Sequence, residues 1–196
     1  MKSWKDITLR KAQKLESLPK TLDTLDLIIN QYAILKDIEV SEVERLTPNE
    51  LIEKTNELAF LKDLPIPKRT DVIKVNGRKY RLIDFNKMSL GQMVDIEEYY
   101  NEGLVHNSHR ILSVMFLPVQ RKFPFIKETT LPYEPDEVRE NDMLDCDMET
   151  IWGNLLFFYL GEMRYTKGLL DYLEEKVQMS QKEWLKEMRE SLVERP

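Results

Sequence analysis

The stretch D-V-I-K-V-N-G-R-K-Y-R-L-I, residues 71–83, decides the fold that we predict for this chain. Asn76 and Gly77 lie between two runs that are rich in β-branched, apolar and aromatic residues. Because Asn-Gly readily adopts the positive φ angles of a type I′ turn, the stretch predicts a two-stranded antiparallel hairpin. A lone hairpin is marginally stable in water, so it must pack on helices or on a partner sheet.

Helical patterns precede the hairpin. Thr8 caps a predicted helix that runs to about Leu18, and the stretch TLDTLDLIINQYAILKDI then places apolar residues at helical spacing. Two further capping boxes predict two short helices, and they pair Ser41 with Glu44 and Thr47 with Glu50. The stretch L-P-I-P-K-R-T, which follows these helices, reads as a hinge or connection.

Helical patterns also follow the hairpin. Ser89 caps a helix that continues to about Tyr100. Residues 119–136 contain three prolines and read as an irregular loop, and residues 148–163 are apolar on nearly every face and predict the central core helix. The remaining predicted helices are His109–Leu117, 135–145, Lys167–Val177 and Ser180–Val193.

One pattern occurs twice, at an offset of 81 residues. Residues 7–18 and 88–99 each contain an apolar residue, a hydroxyl cap and Leu, and an aromatic residue, Trp4 or Phe85, precedes the cap by four. We predict a mainly α protein: a helical bundle of two related lobes, 1–64 and 85–196, joined by a linker and hairpin at 65–84 within one compact unit. The alternative is that two ordinary capped amphipathic helices resemble each other without a duplication.

Composition excludes several classes of function. The net charge of -6 and pI near 5.2 argue against a general nucleic-acid binder, which needs clustered Lys and Arg. The single cysteine, Cys146, cannot form an internal disulfide, and its neighbours Asp145 and Asp147 should raise the thiol pKa. The N-terminus lacks the apolar core of a signal peptide, and the apolar run Ile151–Leu160 is about half the length that spans a bilayer. We therefore expect an intracellular protein with no membrane segment.

No motif in the chain indicates catalysis. The sequence lacks a P-loop, a dinucleotide-binding glycine motif, a zinc-protease motif and a nucleophile elbow. His106 and His109 are three residues apart, but Gly103 and Asn107 make this region look like a loop that leads into a helix cap. The acids from Asp142 to Glu149 lack calcium-loop spacing and read as solvated helix ends. We predict a protein that is not an enzyme and holds no cofactor or metal.

Two segments carry apolar and aromatic residues that could bind a partner protein. A proline-rich loop carries three aromatic residues, and the last predicted helix carries an apolar stripe. Packing of the stripe on the body of the protein, and a simple covering role for the loop, are the alternatives. The candidate partner-binding residues are Phe123, Phe125 and Tyr133 in the loop and Trp184, Leu185, Met188 and Leu192 in the helix.

The stretches W-K-D-I-T-L-R-K-A-Q-K-L-E and I-K-V-N-G-R-K-Y-R-L-I-D-F-N-K-M-S-L-G-Q-M-V-D-I-E-E-Y resemble a type of small bacteriophage protein. The resemblance is to tail-assembly chaperones and baseplate or hub accessory proteins of tailed phages, and it covers roughly the first 120 residues. The matching positions are Trp4, Asp6, Ile7, Thr8, Asn76, Gly77, Tyr80, Leu90, Gly91, Gln92 and Ile96.

The resemblance implies a viral protein of phage tail or baseplate morphogenesis that binds other phage structural proteins. It would act in the host cytoplasm during assembly, as a chaperone or as a minor virion protein. An alternative is a connector or ring subunit of the head-tail assembly, which would act as a homo-oligomer. A hydrolase with a site built from distant acids is a third option.

Overall fold

The computed structural model describes residues 3–63, 65–120 and 128–159. The protein is mostly helical and carries a small four-stranded antiparallel sheet. The chain divides into two compact units, residues 1–155 and 156–196, and only 156–159 of the second unit are described. The helices are α1 (Leu9–Glu16), α2 (Thr24–Lys36), α3 (Val40–Val43), α4 (Pro48–Asn56), α5 (Leu90–Asn101), α6 (Leu104–Met115), α7 (Glu137–Leu144) and α8, described over 148–159.

The sheet contains the predicted hairpin and two strands that the sequence did not predict. Its strands, in spatial order, are β1 (Val72–Val75), β2 (Arg78–Leu82), β3 (Phe116–Gln120) and β4 (Thr129–Thr130). Asn76 and Gly77 have φ angles of 49° and 75°, which confirms the predicted type I′ turn. The predicted helix end at Leu117 is wrong, because the chain leaves α6 at Met115 and residues 116–118 pair with β2. The loop predicted over 119–136 is wrong at 119–120 and 129–130, which pair as strands, whereas 131–136 are irregular as predicted and 121–127 lie outside the described residues.

Short 3-10 turns precede α1 and α5 in the same way. One turn, Trp4–Asp6, is followed by an extended residue and then by Thr8, whose side chain accepts a bond from the Lys11 N–H. The other turn, Phe85–Lys87, is followed by an extended residue and then by Ser89. The repeated sequence pattern therefore corresponds to a repeated local backbone geometry.

Gln92 performs two tasks at the start of α5. Its side-chain oxygen accepts a bond from the Ser89 N–H, and its amide nitrogen donates to the Val114 carbonyl near the end of α6. A glutamate could complete the capping box but could not donate the second bond. The buried Gln92 thus fixes α5 against α6.

The first unit is organised around α6. Residues 111–115 of this helix are buried without a break, and α6 contacts α1, α5, α7 and β3. The N-terminal segment joins this core through residues 7–9, where Leu9 donates to the Cys146 carbonyl and Ile7 accepts from Met148. Buried apolar side chains from several elements complete the core: Ile7, Leu35, Val43, Tyr80, Phe116, Met143 and Ile151.

Segment 65–70, which reads as a hinge in the sequence, lies directly on α8. A Cβ atom at Gly153 would be 2.1 Å from the Lys68 carbonyl oxygen, so the two backbones are in direct contact. The buried Asn154 side chain accepts from the Thr70 N–H at 2.8 Å and donates to the Thr70 carbonyl at 2.7 Å. The segment is therefore anchored to α8.

Some predicted helices differ from the observed ones. The short helix α3 begins after Glu39, so Ser41 is not its cap, whereas the Thr47–Glu50 capping box is present at α4. α6 begins at Leu104, five residues earlier than predicted, and Gly103 precedes it with a φ of 125°. The predicted helices Lys167–Val177 and Ser180–Val193 lie outside the described residues.

Candidate partner-binding surfaces

Tyr133 is the one predicted partner-binding residue that the described ranges include. Its hydroxyl donates to Asp95 Oδ2 at 2.5 Å, and the Arg139 guanidinium lies 5.4 Å from the ring centroid. Burial and the Asp95 carboxylate raise the pKa of Tyr133. The side chain thus holds the segment before α7 against α5. The other six candidates lie outside the described residues: Phe123, Phe125, Trp184, Leu185, Met188 and Leu192.

An open groove of about 710 Å³ lies beside the N-terminal turn, and we call it the Trp4 groove. The Trp4 and Phe60 rings form its apolar side, in an edge-to-face contact with centroids 5.9 Å apart. Trp4 Nε1 donates to the Asp63 carbonyl at 2.7 Å, so the indole is fixed in place. Pro65 and Ile66 continue the apolar lining, and Ile66 is 85% exposed.

The rim of the Trp4 groove is charged with both signs. Lys5 forms an ion pair with Glu149 at 3.7 Å, and Asp63 and Lys68 also line the groove. An aromatic floor, an exposed branched side chain and a mixed polar rim are the usual composition of a protein-binding surface. The arrangement suits an apolar side chain of a partner with polar groups around it.

A second apolar surface lies on α5. Leu90 and Val94, one helical turn apart, are 81% and 60% exposed. Residues at this spacing share one helix face, so the pair forms a continuous apolar stripe. We call it the α5 stripe.

A polar cleft of about 520 Å³ lies between α5, α6 and the start of α7. Arg110 contacts Glu140 at 3.4 Å and Glu102 at 3.7 Å, and its guanidinium lies 4.6 Å from the Tyr99 ring centroid. These contacts pair the Arg110 guanidinium with two carboxylates and an aromatic ring of the same chain. We therefore interpret the charged residues around Arg110 as an ion-pair network that stabilises the fold.

Both histidines lie on α6: a helix was predicted from His109 onward, but the loop that was predicted at His106 is wrong. Gln13 Nε2 lies 3.2 Å from His109 Nδ1 and within hydrogen-bond distance of the Val105 and His106 carbonyls. Since the amide nitrogen is a donor, His109 Nδ1 accepts, and burial lowers the pKa of His109. Within the part of the chain that the structure describes, no group of three His, Cys, Asp or Glu side chains could hold a metal ion.

The acids from Asp142 to Glu149 were predicted to be solvated helix ends, and that prediction is wrong for Asp142, which lies in the last turn of α7. Asp142 is 3% exposed and accepts hydrogen bonds from the Tyr80 hydroxyl, the Asn76 amide and the Arg78 guanidinium. Asp145 also accepts from Asn76, at 3.0 Å. These two carboxylates clamp the hairpin turn onto α7.

Two further residues of this region also serve the structure. Asp147 caps α8 by accepting from the Thr150 N–H at 2.9 Å. Burial, with the nearby carboxylates of Asp147, Asp142 and Asp145, raises the pKa of Cys146 to about 12. The thiol therefore stays protonated at neutral pH and is a poor nucleophile, in agreement with the direction that the sequence predicts.

The chain matches no protein-family model, and no curated protein or solved structure matches it. Among the described helices, none combines the length and the apolar character that crossing a membrane requires.

The sequence did not predict the Trp4 groove, because its parts come from four separate segments. The residue in the sequence that could have indicated this groove is Ile66. It is an apolar residue between two prolines, where no helical or strand periodicity assigns it to a core. The α5 stripe had a clearer signal, since Leu90 and Val94 are four residues apart in a predicted helix.

Proposed function

We propose that this chain is a non-enzymatic, protein-binding component of phage tail or baseplate morphogenesis, either an assembly chaperone or a minor virion protein. Its partners are other phage structural proteins, which it meets in the host cytoplasm during assembly. The protein-binding part of the proposal is carried by Ile66, an almost fully exposed isoleucine beside a fixed Trp4–Phe60 pair, and the phage setting rests on the sequence resemblance. Aromatic pockets of this kind are where binding energy concentrates in protein interfaces.

The polar cleft supports catalysis less well than the Trp4 groove supports binding. Its arginine is neutralised by two carboxylates, and the histidine nitrogen nearest to Gln13 is already hydrogen-bonded. A catalytic site needs an acid or base that is free to exchange a proton with a substrate. The enzymatic alternative would regain support if turnover depended on His109.

The anchoring of segment 65–70 also favours a binding role. Because Thr70 is bonded to Asn154 and Lys68 rests on Gly153, the groove wall is preformed. A preformed surface loses less conformational entropy when a partner binds. The repeated start of α1 and α5 further supports two related lobes, which we include in the proposal.

The α5 stripe favours the second candidate, a connector or ring subunit of the head-tail assembly. Exposed Leu90 and Val94 could be buried between copies of the chain. Size-exclusion chromatography with light scattering separates the candidates, because a chaperone is monomeric or dimeric without its client. A defined ring of more copies, lost in Val94→Asp, would support the connector role and contradict the chaperone role.

The binding role predicts that Ile66→Asp weakens partner capture by roughly thirtyfold, the effect of losing an anchor worth about 2 kcal/mol. The measurement is affinity capture from cells that are assembling a tailed phage, followed by mass spectrometry. The identified tail or baseplate partner is then titrated as a purified protein. Ile52→Asp is the matched control, because Ile52 is 60% exposed on α4 and does not line the groove. Equal titration curves for the two variants would exclude the Trp4 groove as the binding site.

A further inference from the structure

The outer edge of β1 carries backbone groups that no strand uses. Leu82 donates to the Asp71 carbonyl, so the pairs 71–82, 73–80 and 75–78 are the hydrogen-bonded ones in this ladder. The peptide groups of Val72 and Lys74 therefore point away from β2. Among the described residues, none forms a backbone bond with these outward groups.

The sheet face that Lys74 shares is basic although the chain as a whole is acidic. Lys74 lies directly opposite Lys79, and Arg81 follows on the same face of β2. Glu128 forms ion pairs with Lys79 at 2.6 Å and with Arg81 at 3.1 Å, so its single carboxylate offsets only part of the positive charge on this face. Lys74 is exposed and forms no ion pair with any described residue. The edge position therefore holds an unbalanced positive charge.

Like charges directly opposite each other destabilise a strand pair, whereas opposite charges stabilise it. A strand added to β1 would place one of its side chains beside Lys74 on this face. An Asp or Glu at that position would offset the repulsion between Lys74 and Lys79. Val72, two residues away on the same face, would contact an apolar or β-branched side chain of the added strand.

We propose that the β1 edge binds an extended acidic segment of a partner protein as an added strand, with a carboxylate of that segment beside Lys74. The outward N–H and C=O groups of Val72 and Lys74 form hydrogen bonds with the backbone of the added strand. The Lys74 ammonium group favours a strand that carries a negative charge beside it. This inference rests on the proposed protein-binding function, but it concerns a surface separate from the Trp4 groove. A partner that uses both surfaces would bind the chain at two points.

The probe is a synthetic extended peptide with blocked ends, in which a Glu and a Val stand two residues apart and so share one face of the strand, with Thr at the intervening positions. It is compared with the same peptide carrying Lys in place of Glu. We expect the acidic peptide to slow amide hydrogen exchange at Val72 and Lys74, whose N–H groups face outward. Exchange at Ile73 should change little, since its N–H already bonds to β2. If millimolar acidic peptide leaves the Val72 and Lys74 amides unchanged, the inference is wrong.

Charge reversal supplies the second test. Lys74→Glu should weaken binding of the acidic peptide roughly tenfold at low salt and should create binding of the Lys peptide. Loss of folding cannot produce this exchange of preference, because Lys74→Glu also places opposite charges across from Lys79. The matched control is Lys20→Glu, an exposed lysine outside the sheet, which should change neither affinity.

Three outcomes would overturn the inference. The first is equal binding of the acidic peptide to the native chain and to Lys74→Glu. The second is tighter binding of a single-stranded oligonucleotide than of the peptide at the same edge, which would assign the basic face to phosphate. The third is a dimer, lost in Lys74→Glu, that occupies the edge. Ile66→Asp should not affect the peptide, so failure at β1 is distinguishable from failure of the Trp4 groove.

Discussion

Gly153→Ala should lower the free energy of unfolding by about 2–3 kcal/mol, even though alanine favours helices over glycine by about 1 kcal/mol. The added Cβ would lie 2.1 Å from the Lys68 carbonyl oxygen and 2.4 Å from the Lys68 carbonyl carbon. These are backbone atoms of an anchored segment, so no side-chain rotation can relieve the contact. Urea denaturation followed by circular dichroism measures the loss.

Gly91→Ala is the control for this prediction. Gly91 also lies in a helix, near the start of α5, and the nearest atom to an added Cβ there is Ser89 Oγ at an ordinary 3.9 Å. We expect this variant to be as stable as the native chain or up to about 1 kcal/mol more stable. Stabilisation by both substitutions would show that segment 65–70 does not rest on α8.

The parts of the fold that short sequence signals specify were predictable. Thr8, Thr47 and Ser89 cap helices in the structure, and the Asn76-Gly77 turn has the predicted geometry. Each of these features depends on residues only a few positions apart. Local hydrogen bonds and φ preferences therefore determined them without knowledge of the tertiary contacts.

β3 could not be predicted in the same way. Phe116–Gln120 continues an apolar run out of α6, and Pro118 within it signals the end of a helix but gives no indication of a strand. Its conformation is determined by pairing with β2, more than thirty residues earlier in the chain. Long-range pairing of this kind overrides local propensity.

Buried polar residues account for the error at Asp142 and for a contact of Asn154 that was not predicted. Asn154 is almost completely buried within an apolar helix because it bonds to the backbone of Thr70, 84 residues away in sequence. Asp142 is buried because the hairpin turn supplies its donors. Hydrophobic patterning cannot show that a polar side chain bonds to a partner distant in sequence, so it predicted that Asp142 is exposed to solvent.

The candidate site was less predictable than the fold. The Trp4 groove combines the N-terminal turn, the 3-10 turn Ala59–Lys62, segment 65–70 and the start of α8. The predicted hairpin already implied that β1 has a free edge, but the sequence did not show that Lys74 lacks an acidic partner there. Glu128 pairs with Lys79 and Arg81 because β4, which follows it, lies next to β3. Lys74 is left without an ion-pair partner among the described residues.

The hairpin clamp should make a large contribution to stability through Asp142. Asp142→Ala removes the acceptor from the buried Tyr80 hydroxyl and from Asn76, and a buried donor without a partner costs about 1–3 kcal/mol. We therefore expect a loss of about 3 kcal/mol in the free energy of unfolding. Asp71→Asn is the control, because the ion pair of Asp71 with Arg69 is largely exposed and should contribute less than about 1 kcal/mol.

Asp142→Asn removes the charge and replaces one of the two accepting oxygens by an NH2 donor, which the protonated carboxyl group also resembles. Burial alone would raise the pKa of Asp142, but the donors Tyr80, Asn76 and Arg78 outweigh it and hold the pKa below its usual value. An Asp in the unfolded chain has a pKa near 3.9, so protonation at low pH favours the unfolded state. The stabilising contribution is therefore complete above about pH 5, where the carboxyl is ionised in both states, and it is lost as the pH falls through the unfolded-state pKa and then the folded-state pKa.

The stability difference between the native chain and Asp142→Asn should follow that titration. It should be constant between neutral pH and about pH 5, and it should shrink as the pH falls further, because the native carboxyl then becomes neutral as well. Urea denaturation at a series of pH values gives the difference directly. A difference that persists unchanged in acid would mean that the carboxylate charge does not hold the hairpin on α7. The clamp would then depend on shape and neutral hydrogen bonds alone.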